Sequence, residues 1–216
     1  DHITLKYKIN FPLNIVVNES VMTKYNQLYH FLMKLKRVDC VLQGIWKHFK
    51  HREVKNASNN NNERIRALQM FRQEIQHFIN IMQAYVMNQI HDICAKEFAH
   101  KLRNNAKTVE GLRAIHDDFL ESILIGCMLS YKAKSILQVI KTIFALILRF
   151  RLQIVNNPLT QPLSDVAFES MIATRDEFRK QTNILYNELV KSSRKSTQIE
   201  HLLLRLNFNE YFEKNA

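Results

Sequence analysis

A chain of 216 residues, 46% hydrophobic and 24% charged, is long enough to bury a substantial core and has the composition of a soluble globular protein. Its three glycines and three prolines, with no proline between Leu13 and Asn157, exclude a Gly-rich phosphate loop and argue against a turn-rich all-β fold. The formal net charge of +11 suits an acidic partner: nucleic acid, an anionic membrane surface or an acidic protein.

The chain opens with Ile3, Leu5, Tyr7 and Ile9 alternating with Thr4, Lys6, Lys8 and Asn10, the period of a half-buried strand. Phe11-Pro12 breaks the alternation and Leu13 to Val17 is a short apolar extension, so a small hairpin or extended segment is expected here. Asn18 or Ser20 can cap the next element. Val21, Tyr25, Leu28, Leu32, Leu35, Leu42, Ile45 and Phe49 then recur at three- and four-residue steps and predict a helix ending near His51. Residues 53–63 hold a run of asparagines without apolar periodicity and read as an exposed loop within a single domain, residues 1–216. From Arg64 to about Arg103 the periodicity returns, with Ile90 and Ile93 on the apolar face, as one long helix or two nearly collinear ones. Thr108 caps a helix through Leu124, and a further helix over Lys132 to Val155 is apolar on most sides and is expected to lie centrally. After a loop with Pro158 and Pro162, Asp165 to about Arg194 forms another helix, and Ser196 or Thr197 caps a last one through Leu206. The expected fold class is all-α: an elongated antiparallel helical bundle with the short hairpin or extended segment at its N-terminus.

Charge is unevenly spread. Ser20 to Lys55 holds eight Lys or Arg against Asp39 and Glu53, and Ser122 to Ser164 holds no acid. The cysteines Cys40, Cys94 and Cys127 are few, odd in number and widely spaced, as in a reducing compartment. The most apolar run, Ile143 to Leu148, is flanked by Lys141 and Arg149 and is far short of the roughly 18 apolar residues that suggest a bilayer span.

Catalytic and metal patterns are weak. His91 and Cys94 share a helical face but are two ligands without a second pair; they read as a surface histidine and a core cysteine. His48 and His51 belong with the basic surface. His116-Asp117-Asp118 cannot form a relay, because adjacent helical residues point in different directions. No metal, cofactor or catalytic residue is assigned, and the chain reads as a non-enzyme. Nucleic acid is disfavoured because the basic residues are not interleaved with exposed aromatics and no helix-turn-helix stands out.

Four segments carry a resemblance. They are Leu5 to Val17 running into Tyr25, Leu28, Phe31, Leu32, Leu35, Lys36, Leu42 and Trp46; Leu112 to Leu120, centred on His116; the apolar helix Ile136 to Phe150; and Leu202 to Phe212. In this order they resemble the C-terminal, gamma-tubulin-binding region of gamma-tubulin complex components, and the resemblance leaves the component open. It implies a non-catalytic scaffold that holds gamma-tubulin, assembles with other complex components and supports microtubule nucleation at a centrosome or spindle pole. Neither nucleic acid nor membrane is among the implied partners. The Asn-rich loop departs from the family pattern as a member-specific insertion. Tubulins are acidic, so a basic helical face would orient one. Phe11, Asn18, Lys24, Lys36 and Arg37 are the expected gamma-tubulin contacts, beside the motif residues Pro12 and Leu13. Tyr25, Trp46, His116, Phe119 and Leu120 are expected to hold the bundle together, because their spacing faces the core. The alternatives are a basic helical domain that binds nucleic acid or another acidic protein.

Overall fold

The computed structural model describes residues 3–50, 59–157, 163–193 and 197–207. The regular elements within them are all helical: α1 (Glu19–Lys50), α2 (Asn59–Met87), a π-helical segment (Asn88–Cys94), α3 (Ala95–Asn105), α4 (Val109–Gly126), α5 (Lys134–Asn156), α6 (Asp165–Ser193) and α7 (Thr197–Leu206), with 3-10 turns at Leu13–Ile15 and Tyr131–Ala133. The all-α class is therefore borne out. The hairpin is not: residues 3–10 carry no strand pairing, and Leu13–Ile15 is a 3-10 turn. A lone alternating segment has no second strand to satisfy its backbone, and here a helix side chain takes that place, as described below.

Helix starts follow local chemistry. Asn18 caps α1, its Oδ1 accepting the Val21 N–H at 3.0 Å. Thr108 caps α4, its Oγ1 accepting the Gly111 N–H at 3.0 Å. Ser164 precedes α6 and accepts the Ala167 N–H at 3.3 Å. Each oxygen satisfies a backbone donor that the first helical turn leaves open. Ser196 lies outside the described residues, as do residues 53–58 of the expected loop; α2 begins at Asn59, so the run of asparagines to Asn62 is the first turn of a helix and not a loop.

α4 ends differently. Leu129 N–H donates to the Leu124 carbonyl at 2.7 Å and Met128 N–H to that of Ile125 at 3.0 Å, which is a Schellman closure. The left-handed residue it requires is Met128, with φ 60°, and the methionine side chain is fully buried.

The chain forms two compact units, Asp1–Met33 with Gln83–Leu137 and Lys34–Met82 with Gln138–Ala216. In the first, Val21, Leu28 and Phe31 of α1 and Leu120 and Ile123 of α4 are buried, and α3 and the π-helical segment both pack on α4. Tyr85, also buried, donates its hydroxyl to the Gly126 carbonyl at 2.7 Å. Burial pushes the neighbouring Cys127 thiol up to about 12. Where sequence periodicity placed Ile90 and Ile93 on the buried face, the structure buries Gln89 and Cys94 instead. The π-helical turn causes the difference, because it spaces buried positions five residues apart.

In the second unit, Phe71 of α2 packs edge-on against Phe150 of α5 and Phe178 of α6, with centroids 4.8 and 5.6 Å apart. Arg179 of α6 grips Glu74 of α2 with its Nε and a terminal nitrogen, at 2.9 to 3.2 Å. α7 packs on α6. α5 is not buried all round: Leu152 and Val155 are exposed.

Candidate protein interface

The N-terminal segment is held to α1 by two side chains rather than by a sheet. Leu5 N–H donates to Asn26 Oδ1 at 2.7 Å, while Asn26 Nδ2 donates to the carbonyls of Leu5 at 3.2 Å and Met22 at 3.0 Å. The amide of Asn26 thus presents one acceptor and one donor to Leu5, as a neighbouring strand would. His30 Nε2 meets the Ile3 carbonyl at 2.8 Å. This anchoring leaves large apolar side chains facing solvent, with Tyr7 74% and Phe11 79% exposed, and Ile3 and Leu13 also exposed. Lys6 and Lys8 are exposed among them. The result is an apolar strip with cations interspersed, so the expectation that basic residues are not interleaved with exposed aromatics does not hold at Lys6, Tyr7, Lys8 and Phe11.

The five expected contact residues fall in both units. Phe11, Asn18 and Lys24 belong to the first, Lys36 and Arg37 to the second. Phe11 is open to solvent beside Pro12 and Leu13, which are exposed as well. Asn18 is engaged as the cap of α1. Lys24 Nζ pairs with Asp117 of α4 at 3.1 Å, both groups partly covered. Lys36 Nζ donates to the buried Asp39 at 2.9 Å, and the hydrogen bond and charge of Asp39 raise the lysine's pKa. Gln43 and Gln76 also donate to Asp39, at 3.4 and 3.5 Å. Arg37 is exposed. The Lys36–Asp39 pair is an i,i+3 contact that helical spacing allows, whereas the partner of Lys24, Asp117, is remote in sequence.

Of the residues expected to hold the helices together, Leu120 and His116 are buried and Tyr25 and Phe119 half-buried. Tyr25 and His116 meet through the hydroxyl and Nε2, 3.0 Å apart. Phe98 of α3 completes the cluster, its ring 4.5 Å from Phe119 and 6.0 Å from His116. Burial lowers the His116 pKa, Asp117 opposes the shift and Lys24 adds to it. Trp46 is 42% exposed, with the Arg72 guanidinium 5.0 Å over its ring. That tryptophan sits at the edge of its unit and not in the middle.

Beside the aromatic cluster a shallow hollow is lined by Cys94, Glu97, Phe98, Lys101, Ile115 and Phe119. Lys101 pairs with Glu97 at 2.7 Å, so the charges at its rim neutralise each other. Among the described residues no group of three or more His, Cys, Asp or Glu is placed to hold a metal ion. No helix in them is long and apolar enough to cross a membrane.

Comparison with known proteins identifies the family. Residues 1–212 match the family described as gamma tubulin complex component C-terminal. The chain is 32% identical to mouse gamma-tubulin complex component 6 over 97% of its own length, and 30% identical to the human protein of that name over the same share. It is 24% identical to human gamma-tubulin complex component 4 over 96% of its length. It spans 12% of the length of the two component 6 relatives and 30% of the component 4 relative. The exposed N-terminal strip, the His116 cluster and α5 all lie within the matched residues, and this chain belongs to the gamma-tubulin complex component C-terminal family.

Proposed function

We propose that this chain is the portion of a gamma-tubulin complex component that holds gamma-tubulin, and that it works without catalysis as a scaffold. Family membership over residues 1–212 is the observation that carries the reading. The surface supports it: an anchored strip with Tyr7, Phe11 and Leu13 exposed, Lys6 and Lys8 among them, is suited to an acidic protein partner. In the whole protein this portion acts with other complex components to support microtubule nucleation at an organising centre in the cytoplasm. The partner surface is a protein, and neither nucleic acid nor a membrane is required.

The test is co-purification of the chain with gamma-tubulin near physiological salt, with alpha/beta-tubulin as control. A selective one-to-one complex is expected. It should weaken in a Tyr7→Ser, Phe11→Ser variant and, separately, in an Arg37→Glu variant with Lys36→Gln. Lys36 is neutralised and not reversed, because a glutamate there would face the buried Asp39 carboxylate. Equal capture of alpha/beta-tubulin, or no complex with a folded chain, would count against the proposal.

A further inference from the structure

α5 carries two helical stripes, and only one of them is buried. The inner stripe, Ile136, Ile140, Ile143, Ile147, Phe150 and Ile154, steps by four and three and is covered throughout. On the opposite side, within Gln138–Asn156, Lys141, Ala145, Leu148, Leu152 and Val155 step by four and three in the same way. There Leu148 is half-buried, Ala145 is exposed, and Leu152 and Val155 are 59% and 45% exposed. The outward side of a surface helix ordinarily carries polar residues. Alternating steps of three and four are instead the spacing by which one helix packs along another, with positions a and d in the seam and e and g beside it. In this register Ala145 and Leu152 take a, Lys141, Leu148 and Val155 take d, and Arg149 and Arg151 fall at e and g, one on each side of the seam.

The charges of this side are open. Lys141, Arg149 and Arg151 are exposed, and none makes an ion pair or side-chain hydrogen bond among the described residues. The neighbouring α6 differs, since Arg175, Arg179, Lys180 and Lys191 each pair with an acid, namely Asp176, Glu74, Glu177 and Glu188. No acid occurs from Ser122 to Ser164 to offset the α5 cations locally.

We infer that the outer seam of α5 docks an acidic amphipathic helix of another protein, apolar at its own a and d positions and carrying Glu or Asp at the flanking ones. Charge complementarity selects this occupant. A second copy of the chain would set Arg149 and Arg151 against arginines across the seam. A nucleic-acid duplex would meet the cations but leave Leu148, Leu152 and Val155 without an apolar partner. The seam from Lys141 to Val155 is about 21 Å long, three to four helical turns, which is enough to hold one helix in register. This surface stands apart from the N-terminal strip, and the inference does not rest on gamma-tubulin binding.

The experiment uses the 216-residue chain and a fluorescein-labelled peptide of about three heptads, with Leu at a and d and Glu at e and g. Binding is followed by fluorescence anisotropy near physiological salt. Saturable one-to-one binding is expected, weakened roughly tenfold or more by Arg149→Glu with Arg151→Glu, and by Leu152→Ser in a separate variant. All three positions are exposed, so circular dichroism should show both variants folded. A matched peptide with Lys at e and g should prefer the charge-reversed chain over the wild type. The inference is overturned if the wild-type chain does not bind the acidic helix, or if charge reversal leaves binding unchanged. It is also overturned if duplex DNA or phosphatidylserine vesicles bind as tightly as the helix at equal anionic charge, which would mark the face as an undiscriminating polyanion surface.

Discussion

The Tyr25 hydroxyl on α1 and Nε2 of His116 on α4 lie 3.0 Å apart, and they form the polar centre of an otherwise aromatic contact with Phe98 and Phe119. The ion pair of Lys24 and Asp117 stands next to them in both helices. Nδ1 of His116 is buried with no partner among the described residues. A neutral imidazole tolerates that arrangement better than an imidazolium, whose two N–H groups would both need acceptors.

Stability should therefore depend on pH through this ring. Burial depresses the folded-state pKa of His116 below its ordinary value of 6.5. The unfolded chain then takes up the proton first as pH falls, so folding is favoured above that ordinary value and loses ground below it, down through the depressed folded-state pKa. Urea midpoints of wild type and His116→Gln, compared at about pH 7.5 and about pH 5.5, measure the effect. The wild-type midpoint should drop further than that of the variant. Parallel drops would show that protonation of this ring is not linked to folding.

Gln89 lies fully buried in the π-helical segment, and neither atom of its amide has a partner among the described residues. An unpaired buried polar group costs about 1–3 kcal/mol, and an apolar side chain of the same length avoids that cost. Gln89→Met should accordingly raise the thermal midpoint. A lower midpoint would show that the amide contributes to holding the π-helical turn.

At Met128 two effects oppose each other. Glycine at this left-handed position would relieve about 1 kcal/mol of backbone strain. It would also delete a fully buried methionine, a change in the class that costs about 2–5 kcal/mol. The second effect is larger, so Met128→Gly should destabilise the chain although glycine is the usual residue in this closure. Denaturant unfolding gives the sign directly, and a gain in stability would contradict the burial argument.

Much of the fold was legible because most helix boundaries are set by local chemistry. The caps at Asn18 and Thr108 and the helical spacing of α1, α4 and α6 can be read from neighbouring residues. The N-terminal segment was not legible in this way. Alternation at Ile3, Leu5, Tyr7 and Ile9 predicts a strand, but the group that satisfies Leu5 is the side chain of Asn26, and no pattern along the chain announces that. Periodicity places Ile90 and Ile93 on the buried face because it assumes α-helical steps throughout. For the candidate site, Phe11 could be found from its position beside Pro12. The acidic partner of Lys24 depends on tertiary placement, which a linear reading of charge leaves out; that of Lys36 lies three residues on in the same helix, and only its burial needs the structure. The apolar residues on most sides of α5 predict a central helix; only the structure separates a covered stripe from an open one.

The π-helical segment Asn88–Cys94 has a consequence for how this chain tolerates insertions and deletions. Its buried positions pass from Gln89 to Cys94, then onward to the partly covered Phe98 and Lys101. The turn thus absorbs one residue beyond what an α-helix needs. Loss of a single residue elsewhere within a helix rotates everything after it by about 100° and carries a buried face into solvent. Loss of one residue inside Asn88–Cys94 would instead relax the wide turn to α-helical spacing, leaving Phe98 in phase with His116. This stretch is a place where the length of the chain can change by one while the faces on either side keep their alignment.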